Sequence, residues 1–186
     1  MTSMFKGVRE AKANFGANYE REGKYVMFLR RVKMDKNRKN EWFIAMEKVC
    51  IQCLDPKDEP KPHKPGESLS HLFRNYGNGK DFFLPEFKAM IMNVMDVSET
   101  EIDEDACDVI CSEEQPLAYL FLEMDNMTIT TREKQIPITK VRYIRSIPYS
   151  EILESEECLK AINKFLSKDE IAFIEKAVDE ELKEQE

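Results

Sequence analysis

The sequence has 186 residues, of which 42% are hydrophobic and 34% charged, with a formal net charge of -8. This length suits one domain with appendages or a domain with a small second lobe, and no stretch approaches the roughly 20 apolar residues of a membrane helix. The opening segment MTSMFKGVREAKANF contains no apolar signal region, and the five cysteines are an odd number. We therefore expect a cytoplasmic protein with reduced thiols.

The charge is distributed unevenly along the chain. Residues 1–85 contain 17 Lys and Arg against 11 Asp and Glu, whereas residues 86–186 contain 11 against 25. No basic residue occurs between Lys88 and Arg132. Segregation of this kind indicates two faces with different partners.

Three strands and a long loop are predicted in the first half. Segments 24–34 and 41–54 are rich in aromatic and branched residues and flank the turn DKNRKN, so we expect them to form a hairpin. Four of the eight prolines lie in 55–67, which predicts a long exposed loop in which nothing fixes His63. Residues 68–76 are predicted to form a third, shorter strand.

Helices and a second pair of strands are predicted in the second half. From Pro85 onward, apolar residues recur on one helical face: Phe87, Met90, Ile91, Val94 and Met95. Ser98 and Glu101 have the spacing of a capping box, which predicts a second short helix. Segments 116–131 and 135–147 have strand composition and are joined by the charged turn REK.

The chain from Ser150 onward is predicted to be helical and acidic. Ser167 and Glu170 have capping-box spacing, and an apolar stripe follows them. The stripe consists of Ile171, Ile174, Val178 and Leu182. It suits docking on the rest of the protein or on a second copy of the chain, as in a homodimer.

The element order favours a five-stranded OB-type barrel with a helix between strands three and four. Another small barrel or an α+β sheet would also fit this order. We predict an OB-fold domain over residues 1–149 and a helical acidic C-terminal extension over 150–186.

Enzyme motifs are absent from the sequence, and we expect neither catalysis nor a cofactor. The acids of EIDEDACD fit the start of a helix, where the dipole favours negative charge. Cys50 with Cys53, and Cys107 with Cys111, have spacings that raise a zinc hypothesis. Strand alternation turns the first pair to opposite faces, and free cysteines are commonly buried, so we predict core thiols and no metal.

A basic and aromatic surface is the remaining candidate site. Single-strand binders combine cations that contact phosphates with flat rings on which bases stack. The predicted nucleic-acid-binding residues are Arg30, Arg31, Lys33, Lys36, Arg38, Lys39, Trp42, Phe43, His71, Phe73, Arg74, Tyr76, Lys80, Lys140, Arg142, Tyr143 and Arg145. Alternation places one of Trp42 and Phe43 inside and the other outside, and about half of the rings are expected in the core.

Six segments together resemble a family of phage-encoded single-stranded DNA-binding proteins with an OB fold. They are GKYVMFLRRVK, FIAMEKV, KPGESLSHLF, FKAMIMNVMDV, PLAYLFLEMDN and KVRYIRSI, within residues 1–147. The resemblance implies sequence-tolerant binding of single-stranded DNA in phage replication or recombination, in the host cytoplasm, without catalysis or cofactor. It also implies that the acidic C-terminal region recruits replication or recombination proteins, although this chain lacks an aromatic residue at its extreme end.

Two other roles for the acidic half stay open. It could make the protein an interaction factor or DNA mimic that binds a basic protein partner, with the basic hairpin as solvated surface. An acidic tail could also fold over the basic groove and compete with DNA, in which case deletion of 168–186 should tighten binding.

Overall fold

The computed structural model describes residues 20–56, 61–77, 83–112, 116–130 and 137–184. Its centre is one antiparallel sheet in the order β3-β2-β1-β4-β5. The strands are β1 Gly23–Lys36, β2 Trp42–Cys53, β3 Ser68–Arg74, β4 Phe121–Thr130 and β5 Pro137–Ile147. The predicted hairpin is confirmed, because β1 pairs with β2 from Tyr25 opposite Cys53 to Lys36 opposite Trp42.

The sheet is open, so the predicted closed barrel is not confirmed. Strands β3 and β5 are its two edges, and no backbone pairing joins them within the described residues. Side chains nevertheless connect these edges, because His71 Nδ1 of β3 lies 2.7 Å from Tyr143 Oη of β5. Helix α1 (Phe83–Met95), which follows β3 in the chain, contacts both edge strands.

The remaining helices are α2 Glu104–Ile110, α3 Tyr149–Leu153, α4 Glu156–Phe165 and α5 Lys168–Glu184. The Ser98–Glu101 capping box is present, but it caps a short 3₁₀ turn, and α2 begins later with Asp103 as its N-cap. The Ser167–Glu170 box caps α5, with Ser167 N–H donating to Glu170 at 2.7 Å. No helix in the described part of the chain is long and apolar enough to cross a membrane.

Each face of the sheet carries its own core. The inner face packs against α1 through Phe87, Met90, Ile91 and Val94, as the helical spacing predicts, while Met95 is exposed. The outer face is covered by α3, α4 and α5. In this outer core Phe28 and Phe121 lie with Ile162 and Ile174. The acidic C-terminal helices therefore form a layer on the sheet.

Strand β4 begins later than the sequence pattern predicts. Tyr119 has a φ of 66°, a left-handed conformation that interrupts extended backbone. Its N–H donates to the carbonyl of Leu29 at 2.6 Å, and its own carbonyl accepts from Tyr149 Oη at 3.0 Å. Residues 116–119 consequently form a turn that leads into the strand at Phe121.

The proline loop is not simply exposed, and the expectation that nothing fixes His63 is wrong. His63 is 1% exposed, and its Nε2 accepts a hydrogen bond from Arg21 N–H at 2.9 Å. It lies beside an ion pair between Glu20 and Lys48, whose side chains are 2% and 0% exposed. Asn126 donates to the same carboxylate at 3.1 Å. We call Glu20, Lys48, His63 and Asn126 the inner polar cluster.

Candidate nucleic-acid interface

The end of the β1–β2 hairpin carries an exposed apolar face. Val32 and Ile44 belong to the inner core, and strand alternation continues the same face to Met34 and Trp42. Met34 is 47% exposed and Trp42 44% exposed. The hairpin therefore extends past the core. At its end, the apolar face that is buried elsewhere in the sheet is exposed to solvent.

A cation lies over the exposed ring at this end. Lys36 and Trp42 are cross-strand partners, and Lys36 Nζ is 4.2 Å from the centroid of the Trp42 ring. Such a contact contributes about 0.5–1 kcal/mol at an exposed site, so it orients the pair without locking it. An ammonium group beside a solvent-facing ring can contact a phosphate while a base stacks on the ring.

The turn that joins the two strands is held by its own side chains. Asn37 Oδ1 accepts from the backbone N–H groups of Lys39 at 2.8 Å and Glu41 at 3.1 Å. Asn40 adopts a left-handed φ of 64°, which asparagine tolerates better than most residues. These contacts fix the backbone positions of Arg38 and Lys39, whose side chains are both exposed.

The neighbouring strand adds one more cation. Arg74 of β3 is paired with Phe43, and Asn75 N–H donates to the Trp42 carbonyl at 3.2 Å. Among the residues that the structure describes, no carboxylate forms an ion pair with Lys36, Lys39 or Arg74. We name the group at this end of the sheet the tip surface. It consists of Met34, Lys36, Lys39, Trp42 and Arg74.

Other predicted cations of β1 are already bound to carboxylates. Arg31 makes two hydrogen bonds to Glu47, at 2.6 and 2.9 Å, and Lys33 Nζ lies 3.6 Å from the same carboxylate. Burial would raise the pKa of Glu47, but hydrogen bonding and charge from Arg31 outweigh it and lower that pKa. Arg30 bonds to Glu170 of α5 at 2.7 Å. A phosphate would have to compete with these carboxylates.

The cations of β5 lie elsewhere. Asp125 pairs with Lys24 on one side and Arg142 on the other, which places Arg142 beside the start of β1. Lys36 is twelve residues further along, or about 40 Å of extended strand. Lys140 is exposed next to this region, and Arg145 bonds to Glu123 at 2.9 Å and Glu151 at 2.6 Å. Measured along the strands the β5 cations are therefore far from Lys36, although β5 also approaches β3 where Tyr143 meets His71.

Most of the predicted stacking rings are in the interior. Phe43, Phe73 and Tyr143 are 8%, 2% and 4% exposed, so Trp42 is the outward member of its pair with Phe43. His71 stacks on Phe73 with ring centroids 4.4 Å apart, and burial together with Lys48 lowers its pKa to about 3. These core rings offer no face to a ligand.

Two further residues of the predicted interface, Tyr76 and Lys80, do not belong to the tip surface as defined here. Tyr76 is partly buried against the small cluster of Phe43, Ala45 and Leu72. Lys80 lies outside the described residues. Met34 was missed, although its even spacing from Val32 in the same strand as the basic run is the signal that would have placed it beside Trp42.

The cysteine pairs show the environment of structural thiols. Cys50 is buried, and burial with the nearby Cys53 raises its pKa to about 12. Burial with Cys107 raises the pKa of Cys111 to about 11. Without a metal ion, such thiols stay protonated near neutral pH. In the described part of the chain, no group of three His, Cys, Asp or Glu side chains could hold a metal ion.

The tip surface thus combines one exposed tryptophan with three cations that form no ion pair with the described residues. No protein-family model matches this sequence, and a search of curated proteins gives no significant match.

Proposed function

We propose that this protein binds single-stranded DNA with little sequence preference, through the tip surface. The observation that carries the proposal is the exposed Trp42 ring with Lys36 above it, on a hairpin that extends past the core. Lys39 of the adjoining turn and Arg74, whose strand partner Phe43 faces away from the ring, add positive charge at this end of the sheet. A role in protecting single strands during DNA replication, recombination or repair fits both this surface and the resemblance to phage proteins.

The strand order supports an OB-type ancestry for this sheet. The order β3-β2-β1-β4-β5 is that of a five-stranded OB barrel opened between strands three and five. In OB domains the loop between strands one and two borders the ligand groove. Here that loop is the turn of the hairpin that bears the tip surface.

The binding mechanism divides into stacking and charge. One base stacked on Trp42 contributes about 1–3 kcal/mol and carries little sequence information, because every base has a flat face. Lys36, Lys39 and Arg74 can each neutralise one phosphate. The logarithm of affinity should therefore fall with the logarithm of salt concentration at a slope of about -2, from about -0.7 per phosphate.

Trp42 is the only tryptophan in the chain, so its fluorescence reports directly on this site. We expect oligo(dT) to quench the emission of the wild-type protein in a saturable titration, and duplex DNA to bind more weakly because its base faces are hidden. Trp42→Ala should weaken binding of labelled oligo(dT) by roughly tenfold, from a stack worth about 1–3 kcal/mol, with little change in salt slope. Trp42→Phe keeps a ring and should retain most of the affinity.

The charge contribution is tested with Lys36→Ala and Lys39→Ala. Each should flatten the salt slope by about 0.7, because each removes one phosphate contact. Equal affinity for single strands and duplex would refute the proposal. So would a titration at low salt in which oligo(dT) leaves the Trp42 emission unchanged.

The second candidate is a surface for a basic protein partner. Glu99, Glu101, Asp103, Asp105 and Asp108 are all exposed around α2. Val109, in the same segment, is 50% exposed and could supply an apolar contact. A protein that binds a basic partner here but fails to bind oligonucleotides at low salt would favour this candidate over DNA binding.

A further inference from the structure

Lys36 occupies the place that a stacked base would need. It is the cross-strand partner of Trp42, and its Nζ lies 4.2 Å from the centroid of the ring. A base in contact with the same ring face would lie at about 3.5–4 Å from it. Because Lys36 is itself exposed, the face beneath it is one that a ligand can reach. The ammonium and a base therefore compete for this face.

The contact with the ring is the interaction that holds this ammonium. In the part of the chain that the structure describes, no carboxylate forms an ion pair with Lys36. The adjacent Asp35 accepts a hydrogen bond from the Lys36 backbone N–H at 2.7 Å, but its side chain lies on the opposite face of the strand, 3.9 Å from Lys33 Nζ. A hydrogen bond between an ammonium and an anion is about twice as strong as a neutral one, so a phosphate can draw Lys36 away from the ring.

We infer that Lys36 is a built-in competitor of the base, which covers the Trp42 ring in the free protein and moves to a phosphate when a base takes its place. The inference rests on the proposed function of the tip surface. The ligand must then supply two groups together, an anion that draws the ammonium away and a flat group that replaces it. Inorganic phosphate supplies only the first and a free base only the second. The contact therefore favours a nucleotide chain over either of its parts.

Lys36 consequently affects affinity in two opposite directions. Its phosphate contact strengthens binding at low salt and contributes about -0.7 to the salt slope. Its contact with the ring weakens binding by about two- to fivefold at every salt concentration, because an exposed cation–π contact has to be broken first. Lys39, for which the described residues show no ring contact, has only the first effect. It is therefore the matched control.

The first measurement needs no DNA. Acrylamide is a neutral quencher, and Trp42 is the only tryptophan, so the quenching constant, corrected for the fluorescence lifetime, reports access to this ring. We expect Lys36→Ala to raise the constant of the free protein and Lys39→Ala to leave it unchanged. Equal constants for Lys36→Ala and wild type would show that the ammonium does not cover the ring, and the inference would be wrong.

The second measurement follows the binding of labelled oligo(dT) by fluorescence anisotropy across a salt series. Both alanine variants should bind more weakly than wild type at low salt, with slopes flatter by about 0.7. For Lys36→Ala the uncovered ring offsets the loss, so its line should cross that of wild type between about 0.1 and 0.4 M salt. The line of Lys39→Ala should approach that of wild type only near about 1 M. Lys36→Arg keeps a cation for both ring and phosphate and should not cross.

The outcomes separate this inference from the proposed function. A crossing with Lys36→Ala that is absent from Lys39→Ala and Lys36→Arg supports the competition. If Trp42→Ala weakens binding but Lys36→Ala follows Lys39→Ala without crossing, the base and the ammonium do not compete, so the inference is wrong and the proposed function stands. If wild type binds no oligo(dT) at low salt, the proposed function and this inference fall together.

Discussion

The buried ion pair of the inner polar cluster makes a strong prediction about stability. Lys48 Nζ and Glu20 Oε1 are 2.5 Å apart, and the two side chains are 0% and 2% exposed. The ammonium also lies 5.5 Å from the centroid of the Tyr143 ring. Removing the carboxylate with Glu20→Gln would leave a positive charge in the interior without its counter-charge. We expect the free energy of unfolding to fall by about 3–5 kcal/mol.

The pair itself need not contribute that much to stability. Desolvation of two charges offsets most of their attraction, and well-packed apolar replacements of buried pairs are often neutral or stabilising. The double variant Glu20→Leu/Lys48→Met should therefore unfold within about 3 kcal/mol of wild type, the loss coming from the Asn126 amide that donates to Glu20. Each single replacement, Glu20→Leu or Lys48→Met, should be much less stable than the double variant.

Urea denaturation followed by far-ultraviolet circular dichroism measures wild type, Glu20→Gln and the three variants of this cycle. The reasoning depends on burial, so it is refuted if Glu20→Gln loses less than about 1 kcal/mol. It also fails if the losses of the two single variants simply add in the double variant, because independent sites add and a coupled pair does not.

Three further predictions concern charge. Glu47→Gln should release Arg31 and Lys33, tightening oligo(dT) binding and steepening its salt slope by up to about 1.4. The control Glu123→Gln should leave binding unchanged, because Arg145 keeps its ion pair with Glu151. The free energy of unfolding should fall as the pH drops below about 6.5. His71, with a pKa of about 3 in the folded protein, stays neutral there, whereas the same side chain becomes protonated in the unfolded chain. His71→Gln should reduce that slope, by at most about 1.4 kcal/mol per pH unit, in urea titrations between pH 5 and 7. Glu170→Ala should destabilise α5 by about 1 kcal/mol through loss of its capping box and Arg30 contact, while oligo(dT) affinity stays within about twofold in the anisotropy assay.

Local patterns were enough to predict much of the fold. The hairpin follows from two strand-like segments around an Asn-rich turn, and the buried face of α1 follows from its helical spacing. Whether the sheet closes into a barrel could not be predicted in this way. Closure requires pairing between β3 and β5, which are some seventy residues apart and are connected by no local pattern. In the structure the side chains of His71 and Tyr143 meet where a barrel would pair backbones.

The candidate site was predicted in composition but not in arrangement. Proline density shows only that 55–67 forms no regular element, and it carries no information on whether His63 is buried. A lysine in a strand suggests a solvent-facing position, yet Lys48 is 1% exposed because Glu20, from another segment, neutralises it. Which of Trp42 and Phe43 points outward depends on which of them shares the sheet face of Ile44. Packing decides this, and the type of either residue does not.

The two charge halves of the sequence meet on the outer face of the sheet. Glu170 of α5 binds Arg30, and Glu151 of α3 binds Arg145, so the acidic helices neutralise cations of the basic strands. Because Ile174 of α5 is 2% exposed in the outer core, removing residues 168–186 would uncover apolar surface instead of freeing a groove. Competition by a detachable tail is therefore a poor account of the acidic end.

This neutralisation limits what charge can contribute to the proposed DNA binding. With Lys36, Lys39 and Arg74 as the tip cations, about three phosphate contacts give a salt slope near -2, which is shallow for a nucleic-acid binder. Electrostatic affinity of that size fades at physiological ionic strength, where the Debye length is about 8 Å. In the proposed binding mode, stacking on Trp42 must then supply most of the remaining affinity.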